Sequence, residues 1–425
     1  MTKTEAHSYA AQMDAKDTLG VFRNRFHIPL HHGEPVAYFC GNSLGLVPRA
    51  TADVVQDELE DWKNLGVEGH FHARKPWFSY HRLLTDSLAR LTGAKPHEVV
   101  AMNSLTANLH LLMTSLYRPT ADRYRIVIAG NEFPSDRYAV ESQVRLHGHD
   151  PEQAMIEVAP DPGTYEISTQ RLEEAIAQHG ESVALVLISG VHFFTGQFFD
   201  IPAVVRAAKS VGAVIGVDLA HAIGNVELHL HDWDVDFAVW CSYKYLNSGP
   251  GGVGGAFVHE RYAARPDLPR LAGWWGNEES TRFMLQHGFE PTYGADGWQL
   301  SNAPVLSMAA HRAALDIFDE AGMAAISVKR TALTGFLETL VNAAFAQYPI
   351  GACITPRDPA QRGAQLSLRF EHHGREVYEK LLQHGVIVDW RTPNVIRVAP
   401  APLYVSFADV ARFYDVFLTI LSELP

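Results

Sequence analysis

The sequence contains little cysteine and no excess of positive charge. Three cysteines (Cys40, Cys241 and Cys353) are scattered over 425 residues, too few and too far apart for a disulfide framework or a cysteine-based zinc site. The 35 Lys and Arg residues are outnumbered by 48 Asp and Glu residues. This balance argues against a nucleic-acid partner, because a phosphate backbone requires a basic protein surface.

Targeting and membrane segments are also lacking. The first residues, MTKTEAHSYAAQ, do not combine a basic segment with the apolar core of a signal peptide. The longest apolar stretches, such as Val183–Ser189 and Val211–Leu219, are far shorter than the roughly 20 residues of a membrane helix. Together with the scarcity of cysteine, these absences predict a cytoplasmic protein without a membrane partner.

Histidine is abundant, with 22 residues, but its spacing does not indicate a metal site. The pairs His31-His32, His70…His72 and His372-His373 do not form a catalytic zinc motif. The sequence therefore predicts no metal.

Short β-branched runs alternate with helical patterns between residues 46 and 302. Predicted strands are Arg125–Ala129, Met155–Val158, Val183–Ser189, Val214–Asp218, Phe237–Cys241 and Gly254–His259, with Val99–Met102 as a further short strand. Predicted helices between them include Asp136–His147, Thr169–His179 and Ile201–Val211. Apolar strands joined through helices predict an α/β fold with a mostly parallel sheet covered on both faces.

The pattern changes after Asn302. Two long helices, Ala303–Ala321 and Ala324–Ala346, precede strands at Gln365–Phe370, Val386–Asp389 and Val395–Val398. Helices near Arg375–His384 and from Ser406 complete this part of the chain. We therefore predict three units: an N-terminal arm (1–45), a large α/β domain (46–302) and a small C-terminal α+β domain (303–425).

The clearest chemical signal is an aspartate and a lysine that each follow an apolar strand. Asp218 ends one strand, and Lys244 lies just after the next in the segment Ser242-Tyr243-Lys244-Tyr245. Glycines at 249, 251, 252, 254 and 255 allow the backbone after Lys244 to approach a ligand closely. Pyridoxal 5'-phosphate requires such a pair: an amine that bonds to the cofactor and a carboxylate that keeps its ring nitrogen protonated. Taken alone, the pair is also compatible with a capping Asp and a solvent-facing Lys.

The flanking segments carry a specific resemblance. Cys241–Gly255 is similar to the cofactor-lysine segment of fold-type I pyridoxal-phosphate enzymes, in the branch shared with cysteine desulfurases. Within that branch the chain resembles kynureninases in six blocks: YFCGNSLG (38–45), MNSLTANLHLL (102–112), FPSD (133–136), SGVHFFTGQ (189–197), DLAHAIGNVELHLHDW (218–233) and IRVAP (396–400). The resemblance implies a seven-stranded, mostly parallel sheet and a homodimer that hydrolyses the Cβ–Cγ bond of kynurenine or 3-hydroxykynurenine. Such an enzyme is a hydrolase of ketonic carbon–carbon bonds in tryptophan catabolism and NAD synthesis.

Residues in these blocks, in the Cys241–Gly255 segment and at two later positions are expected to hold the cofactor. Several have an ordinary structural alternative, such as helix capping for Thr106 or core packing for Phe133. Catalytic roles are implied for Lys244, Asp218 and Tyr243, the last as a candidate by position to activate water. Expected cofactor contacts are Leu105, Thr106, Phe133, Asp136, Ser189, Asp218, His221, Tyr243 and Lys244, with Trp274 and Asn302 contributed by the neighbouring subunit.

Substrate contacts are expected at Arg397, His70, Ser301 and Asn302. Arg397 interrupts an apolar strand, and a buried arginine requires an anion, either a substrate carboxylate or an internal acidic partner. His70, Ser301 and Asn302 resemble residues of family members that prefer 3-hydroxykynurenine. Asn277 departs from that type, which usually carries a histidine at this place.

Two other functions remain open from the sequence. A cysteine desulfurase requires a mobile cysteine in the C-terminal third, where Cys353 lies in a segment predicted to be a packed strand. A non-catalytic aminotransferase-like sensor requires a DNA-binding module, for which residues 1–45 offer no basic winged helix.

Overall fold

The computed structural model describes residues 1–284 and 288–425. The longer α-helices are Lys3–Asp14, Thr51–Leu65, Arg82–Thr92, Leu105–Leu116, Pro134–Leu146, Thr169–His179, Ile201–Ser210, Val305–Ala321, Met323–Gln347, Gly374–Gln383 and Phe407–Glu423. Gly69–His72 and Pro151–Ala154 form single helical turns. Over the described ranges, no helix combines the length and apolarity needed to cross a bilayer.

Seven strands form the main sheet. They are β1 (Val99–Ala101), β2 (Arg125–Ala129), β3 (Met155–Val158), β4 (Val183–Ser189), β5 (Val214–Asp218), β6 (Phe237–Trp240) and β7 (Gly255–Val258). Their spatial order is β1-β7-β6-β5-β4-β2-β3. Neighbours from β6 to β3 run parallel, whereas β7 is antiparallel to both β1 and β6. The predicted α/β fold with a seven-stranded, mostly parallel sheet is confirmed.

The antiparallel direction of strand β7 has a local cause. A parallel connection requires a crossover, usually a helix, but β6 and β7 are joined by the glycine-rich segment 241–254 without one. The chain therefore turns back beside β6. Both strands are slightly shorter than predicted, since β6 ends at Trp240 and β7 spans Gly255–Val258.

The centre of the sheet is apolar on both faces. Every residue of β4 is buried, as expected for a parallel strand with helices above and below it. Two of the covering helices begin at side-chain caps: Ser168 accepts a hydrogen bond from the backbone N–H of Arg171, and Asp200 accepts one from Ala203. These caps fix the directions in which the helices leave the sheet.

Adjacent strands of the sheet end level with one another. Ser189 at the end of β4 is the register partner of Asp218 at the end of β5. The backbone N–H of Gly190 donates to the Asp218 carbonyl at 2.7 Å, and that of Leu219 donates to Val239 of β6 at 2.8 Å. Polar residues after these strands are thereby gathered along one edge of the sheet.

A smaller antiparallel sheet lies in the C-terminal part of the chain. Its strands are β8 (Gly351–Cys353), β9 (Leu366–Phe370), β10 (Asp389–Arg391) and β11 (Val395–Val398), in the order β8-β9-β11-β10. Cys353 lies on a paired strand. The predicted strand Val386–Asp389 is wrong in part: Val386–Ile387 pairs with Ala37–Tyr38, and Asp389 belongs to β10.

The N-terminal segment packs on the C-terminal part. The Lys3 ammonium donates to the carbonyl of Asp415 at 3.1 Å, and the Tyr414 hydroxyl donates to Met1 at 2.8 Å. The strand Ala37–Tyr38 pairs in parallel with Val386–Ile387. The domain boundaries at 45/46 and 302/303 stay predictions.

Candidate active site

A pocket lies at the edge of the sheet where β2, β4, β5 and β6 end. It is lined by Leu105, Thr106, Glu132, Phe133, Ser135, Asp136, Ser189, Val191, Phe193, Asp218, Ala220, His221, Cys241, Tyr243 and Lys244. All nine residues expected to contact the cofactor within one chain are in this lining.

Lys244 and His221 contact each other in the pocket. The Lys244 Nζ lies 3.0 Å from His221 Nε2. Burial, together with the charge of Lys244, lowers the pKa of His221 well below its ordinary value, so the ring is neutral and Nε2 accepts from the amine. The ring proton is then on Nδ1, which is buried and has no hydrogen-bond partner among the described residues.

The backbone around Lys244 is held from two sides. The N–H of Gly45 donates to the Tyr243 carbonyl at 2.8 Å, and a side chain at Gly45 would collide with the Lys244 carbonyl. The N–H of Gly254 donates to Asn103 at 2.7 Å, and a Cβ there would lie about 3 Å from backbone atoms. These glycines allow two neighbouring segments to pack directly on the lysine loop.

Three carboxyl groups converge beside the lysine. Asp218 Oδ1 accepts a hydrogen bond from the Ala220 N–H at 2.6 Å. Burial and the neighbouring Asp218 hold the pKa of Asp136 well above its ordinary value. Burial likewise raises the pKa of Glu132 to about 7, although hydrogen bonds from Ser189 oppose this shift. Asp136 and Glu132 therefore bind protons more readily than ordinary carboxyl groups do.

Two helices begin at the pocket. Leu105–Leu116 and Pro134–Leu146 start near each other, and the hydroxyls of Thr106 and Ser135 lie 2.9 Å apart. The cap residue Ser104 makes no side-chain bond to the first helix. Free N–H groups at helix starts, combined with hydroxyl groups, are suited to a phosphate group.

An aromatic ring and a tyrosine complete the lining. Phe133 meets Phe193 edge to face, with ring centroids 5.3 Å apart, and its own centroid lies 5.9 Å from the Lys244 amine. Tyr243 and the Cys241 thiol are within hydrogen-bonding reach, and burial raises the pKa of Tyr243 above its ordinary range. Phe133 lines the pocket and is 44% exposed, so its ring can stack on a flat ring.

These features fit pyridoxal 5'-phosphate. The two helix starts and the Thr106 hydroxyl suit the phosphate group, and Phe133 suits the pyridine ring. The buried N–H of His221 and Asp136 Oδ1 both lack partners among the described residues, which is unfavourable unless a polar ligand contacts them. Lys244 supplies an amine within the same pocket.

Arg397 lies on β11 and is 1% exposed. Its guanidinium pairs with the Asp389 carboxylate at 2.7 Å and donates to the Phe193 carbonyl at 2.8 Å and to Ser43 Oγ at 3.1 Å. Arg397 therefore has an internal acidic partner, Asp389. It also lies next to the pocket, because it contacts Phe193, which is part of the lining.

The remaining expected contacts are not in the lining of the Lys244 pocket. Trp274 lies in the 3₁₀ helix Trp274–Gly276 and is 44% exposed. Ser301 and Asn302 are exposed and line a separate cavity with Asn103, Gly251 and Ser307, among others. His70 packs edge to face on Trp77, with ring centroids 5.6 Å apart.

Sequence reasoning missed several residues. Glu132, which accepts hydrogen bonds from Ser189, immediately precedes the predicted contact Phe133, and its place after a strand was an available signal. Asp389 carried no local signal, because its pairing with Arg397 depends on the register of β10 and β11.

Two groups of side chains have the composition of a metal site. Glu98, His231 and His259 form one such group within the described part of the chain, and His97, Glu98 and Glu260 form another. Glu98 already accepts hydrogen bonds from the N–H groups of Lys95 and Glu260. The rings of His231 and His259 are stacked, an arrangement poorly suited to joint coordination of one ion.

Comparison with known proteins agrees with the fold. The profile of the kynureninase C-terminal domain matches residues 326–417, and that of the DegT/DnrJ/EryC1/StrS aminotransferase family matches residues 78–230. A solved cysteine desulfurase from Escherichia coli superposes with a TM-score of 0.76 at 17% identity, covering 96% of this chain and 99% of that one. A cysteine desulfurase from Thermococcus onnurineus gives 0.75 at 17% identity, covering 92% and 95%. The fold is that of the fold-type I enzymes, and pyridoxal 5'-phosphate is the cofactor.

Sequence identity is far higher with a second set of proteins than with these desulfurases. The kynureninase of Koribacter versatilis is 50% identical over 417 residues, 98% of each chain. That of Myxococcus xanthus is 52% identical over 412 residues, 96% of each chain. The chain belongs to the kynureninase family.

Proposed function

We propose that this chain hydrolyses the Cβ–Cγ bond of a kynurenine-type amino acid to L-alanine and an anthranilate. The observation that carries the proposal is the contact of Lys244 with His221 in a pocket that also holds Asp218, in a chain of this family. Such an enzyme acts in tryptophan catabolism and supplies NAD synthesis, and we propose a cytoplasmic location.

Each residue of the pocket has a proposed task. When bound, pyridoxal 5'-phosphate acts as an electron sink that stabilises negative charge at the substrate α-carbon. The Lys244 amine moves the α-proton, and neutral His221 orients that amine by accepting its hydrogen bond. The Asp218 carboxylate, fixed by the Ala220 N–H, holds a proton on the ring nitrogen.

Phosphate binding and ring stacking are assigned to the opposite side of the pocket. Leu105 and Thr106 would hold the phosphate at a helix start, with the Tyr243 hydroxyl as a further donor. Phe133 would cover one face of the ring, while Ser189 and Asp136 would make polar contacts with the cofactor. The substrate α-carboxylate is assigned to Arg397, whose planar guanidinium matches it.

The chain is proposed to act as a homodimer in which Trp274 and Asn302 complete the partner's site. Both residues lie outside the single-chain pocket lining, and Trp274 is a large exposed aromatic residue. Exposed tryptophan is enriched where proteins meet. A two-fold pair is also the commonest assembly of identical chains.

We further propose a preference for 3-hydroxykynurenine over kynurenine. His70, Ser301 and Asn302 offer an imidazole, a hydroxyl and an amide that can exchange hydrogen bonds with a ring hydroxyl. A pocket built for that hydroxyl leaves polar groups unpaired when it is absent, which can discriminate by up to about 10⁴-fold. Asn277 is the residue that departs from this pattern.

The test is release of alanine from three substrates: kynurenine, 3-hydroxykynurenine and cysteine. We expect turnover of both kynurenines, a higher kcat/KM for the hydroxylated one, and none of cysteine. His70→Trp should remove the preference. Formation of alanine from cysteine but from neither kynurenine would instead indicate a desulfurase. Equal kcat/KM values for the two kynurenines would refute the ring preference.

A further inference from the structure

Glu132 links two strand ends beneath the pocket. It follows β2, and its Oε1 accepts hydrogen bonds from both the backbone N–H and the hydroxyl of Ser189, each at 3.0 Å. Ser189 ends the adjacent strand β4 and is the register partner of Asp218. One carboxyl oxygen therefore fixes the backbone and the side chain of a residue in the cofactor pocket.

This arrangement restricts the Ser189 side chain. A serine hydroxyl ordinarily rotates among three staggered positions, but the bond to Glu132 holds the Ser189 hydroxyl in one of them. Ser189 and Glu132 both line the pocket. The orientation that Ser189 offers to a bound ring is thus set by a residue from another strand.

The charged surroundings of Glu132 support a role tied to the pocket. Asp218 at the end of β5 and Asp136 on the helix Pro134–Leu146 are its acidic neighbours. The charge of Lys244 acts on Asp136, but the Lys244 amine contacts His221. Burying the Glu132 carboxyl group next to other acidic groups costs free energy. The hydrogen bonds that Glu132 accepts come from Ser189, so this cost is linked to the pocket.

We propose that Glu132 is a positioning residue of the cofactor site, which holds Ser189 in the orientation that contacts the bound cofactor. The proposal rests on the cofactor and on the proposed contact of Ser189. It adds a residue to the site that none of the recognised sequence blocks contains.

The test compares the dissociation constant of pyridoxal 5'-phosphate among variants, by equilibrium dialysis of the purified holoenzyme. Glu132→Ala and Ser189→Ala should each raise the constant about tenfold, the value of one buried hydrogen bond of about 1.4 kcal/mol. The double variant should be no weaker than either single one, because both remove the same contact. Both alanine variants should shift the absorbance maximum of the bound cofactor in the same direction.

The variant Glu132→Gln distinguishes a positioning role of Glu132 from a role of its negative charge. Its amide oxygen can accept both bonds from Ser189, so its dissociation constant should stay within about threefold of the wild type. Glu141→Ala, at an exposed ion pair with Arg145 on the following helix, serves as the matched control and should change neither the constant nor the spectrum.

Three outcomes would overturn the proposal: no effect of Glu132→Ala, additive effects in the double variant, or a glutamine variant as weak as the alanine variant. Thermal unfolding of each holoenzyme checks its folding. If Glu132→Ala does not fold, Glu132→Met retains side-chain length without an acceptor and takes its place, with the same expected and contrary results. These constants do not depend on kynurenine, so a failed substrate assay leaves them interpretable.

Discussion

The guanidinium of Arg397 and the carboxylate of Asp389 face each other across two antiparallel strands at 2.7 Å. Arg397 is almost fully buried, and Asp389 is the acidic group that balances its charge. An anionic substrate would enter a site in which this cation is already oriented. Pre-orientation of this kind lowers the entropy lost on binding.

Arg397→Lys should therefore impair substrate binding more than turnover. Lysine retains the charge but lacks the planar fork that holds Phe193 and Asp389 together. We expect KM for kynurenine to rise at least about tenfold, the cost of one hydrogen bond to a charged group, with a smaller change in kcat. Arg391→Lys is the matched control, since Arg391 contacts the same Asp389 at 3.2 Å. An unchanged KM in Arg397→Lys would contradict the proposed role.

Lys244→Ala should abolish covalent attachment of the cofactor. Borohydride reduction followed by mass spectrometry of peptides should find the cofactor on Lys244 in the wild type and on no peptide of the variant. Lys63→Ala, at a solvent-exposed lysine, should retain the adduct. An adduct mapped to another lysine of the wild type would disprove the assignment.

Asp218→Asn should bind the cofactor but lose several orders of magnitude in kcat. The amide preserves shape and can still accept from the Ala220 N–H, but it cannot hold a proton on the ring nitrogen. Absorbance measures cofactor content, and stopped assays measure kcat. Asp232→Asn, at an exposed position outside the pocket lining, is the control. Near-normal turnover in Asp218→Asn would eliminate the role.

The proposed sharing of sites between two subunits predicts complementation between inactive chains. Lys244→Ala and Asn302→Ala homodimers should both be inactive, whereas a mixed dimer holds one site with both residues intact. Random pairing should restore about a quarter of wild-type activity. Co-expressed, separately tagged chains test this. Failure to restore activity, with mixed dimers demonstrated by pull-down, would place Asn302 in its own chain's site or outside any site.

His311 predicts a pH dependence of stability. It is fully buried in the helix Val305–Ala321, and neither ring nitrogen has a hydrogen-bond partner within the described ranges. Burial lowers its pKa from 6.5 to about 3. The unfolded chain therefore binds a proton more readily, and the free energy of unfolding falls as the pH drops from 6.5 toward 3.

His311→Leu should remove this dependence. Its midpoint of thermal unfolding should exceed that of the wild type by more at pH about 5 than at pH about 8. His372→Leu, at a solvent-exposed histidine, is the control. A difference between variant and wild type that does not vary with pH would show that the ring does not titrate on unfolding.

Much of the pocket was predictable because polar residues at strand ends converge in a parallel sheet. Asp218 and Lys244 were identified in this way, and the structure places both in one lining. The antiparallel β7 could also have been anticipated, since the glycine-rich segment before it contains no crossover helix.

Other features depend on partners that are distant in the chain. Val386–Ile387 pairs with Ala37–Tyr38 rather than with the strand beside Asp389, and local periodicity does not specify a partner. The hydrogen bonds of Glu132 to Ser189 depend on the order of β2 and β4 in the sheet and on one side-chain rotamer. The proposed contributions of Trp274 and Asn302 to a second subunit follow from the family resemblance and not from the periodicity of the chain.

The pairing of Ala37–Tyr38 with Val386–Ile387 has a consequence for synthesis on the ribosome. The strand Ala37–Tyr38 cannot pair until its partner, Val386–Ile387, has been translated. At typical rates of elongation this takes on the order of tens of seconds. Gly45, which packs on the Lys244 loop, follows that strand closely. The Ala37–Tyr38 strand therefore completes its pairing only after Val386–Ile387 has left the exit tunnel, well after Gly45 and the Lys244 loop have emerged.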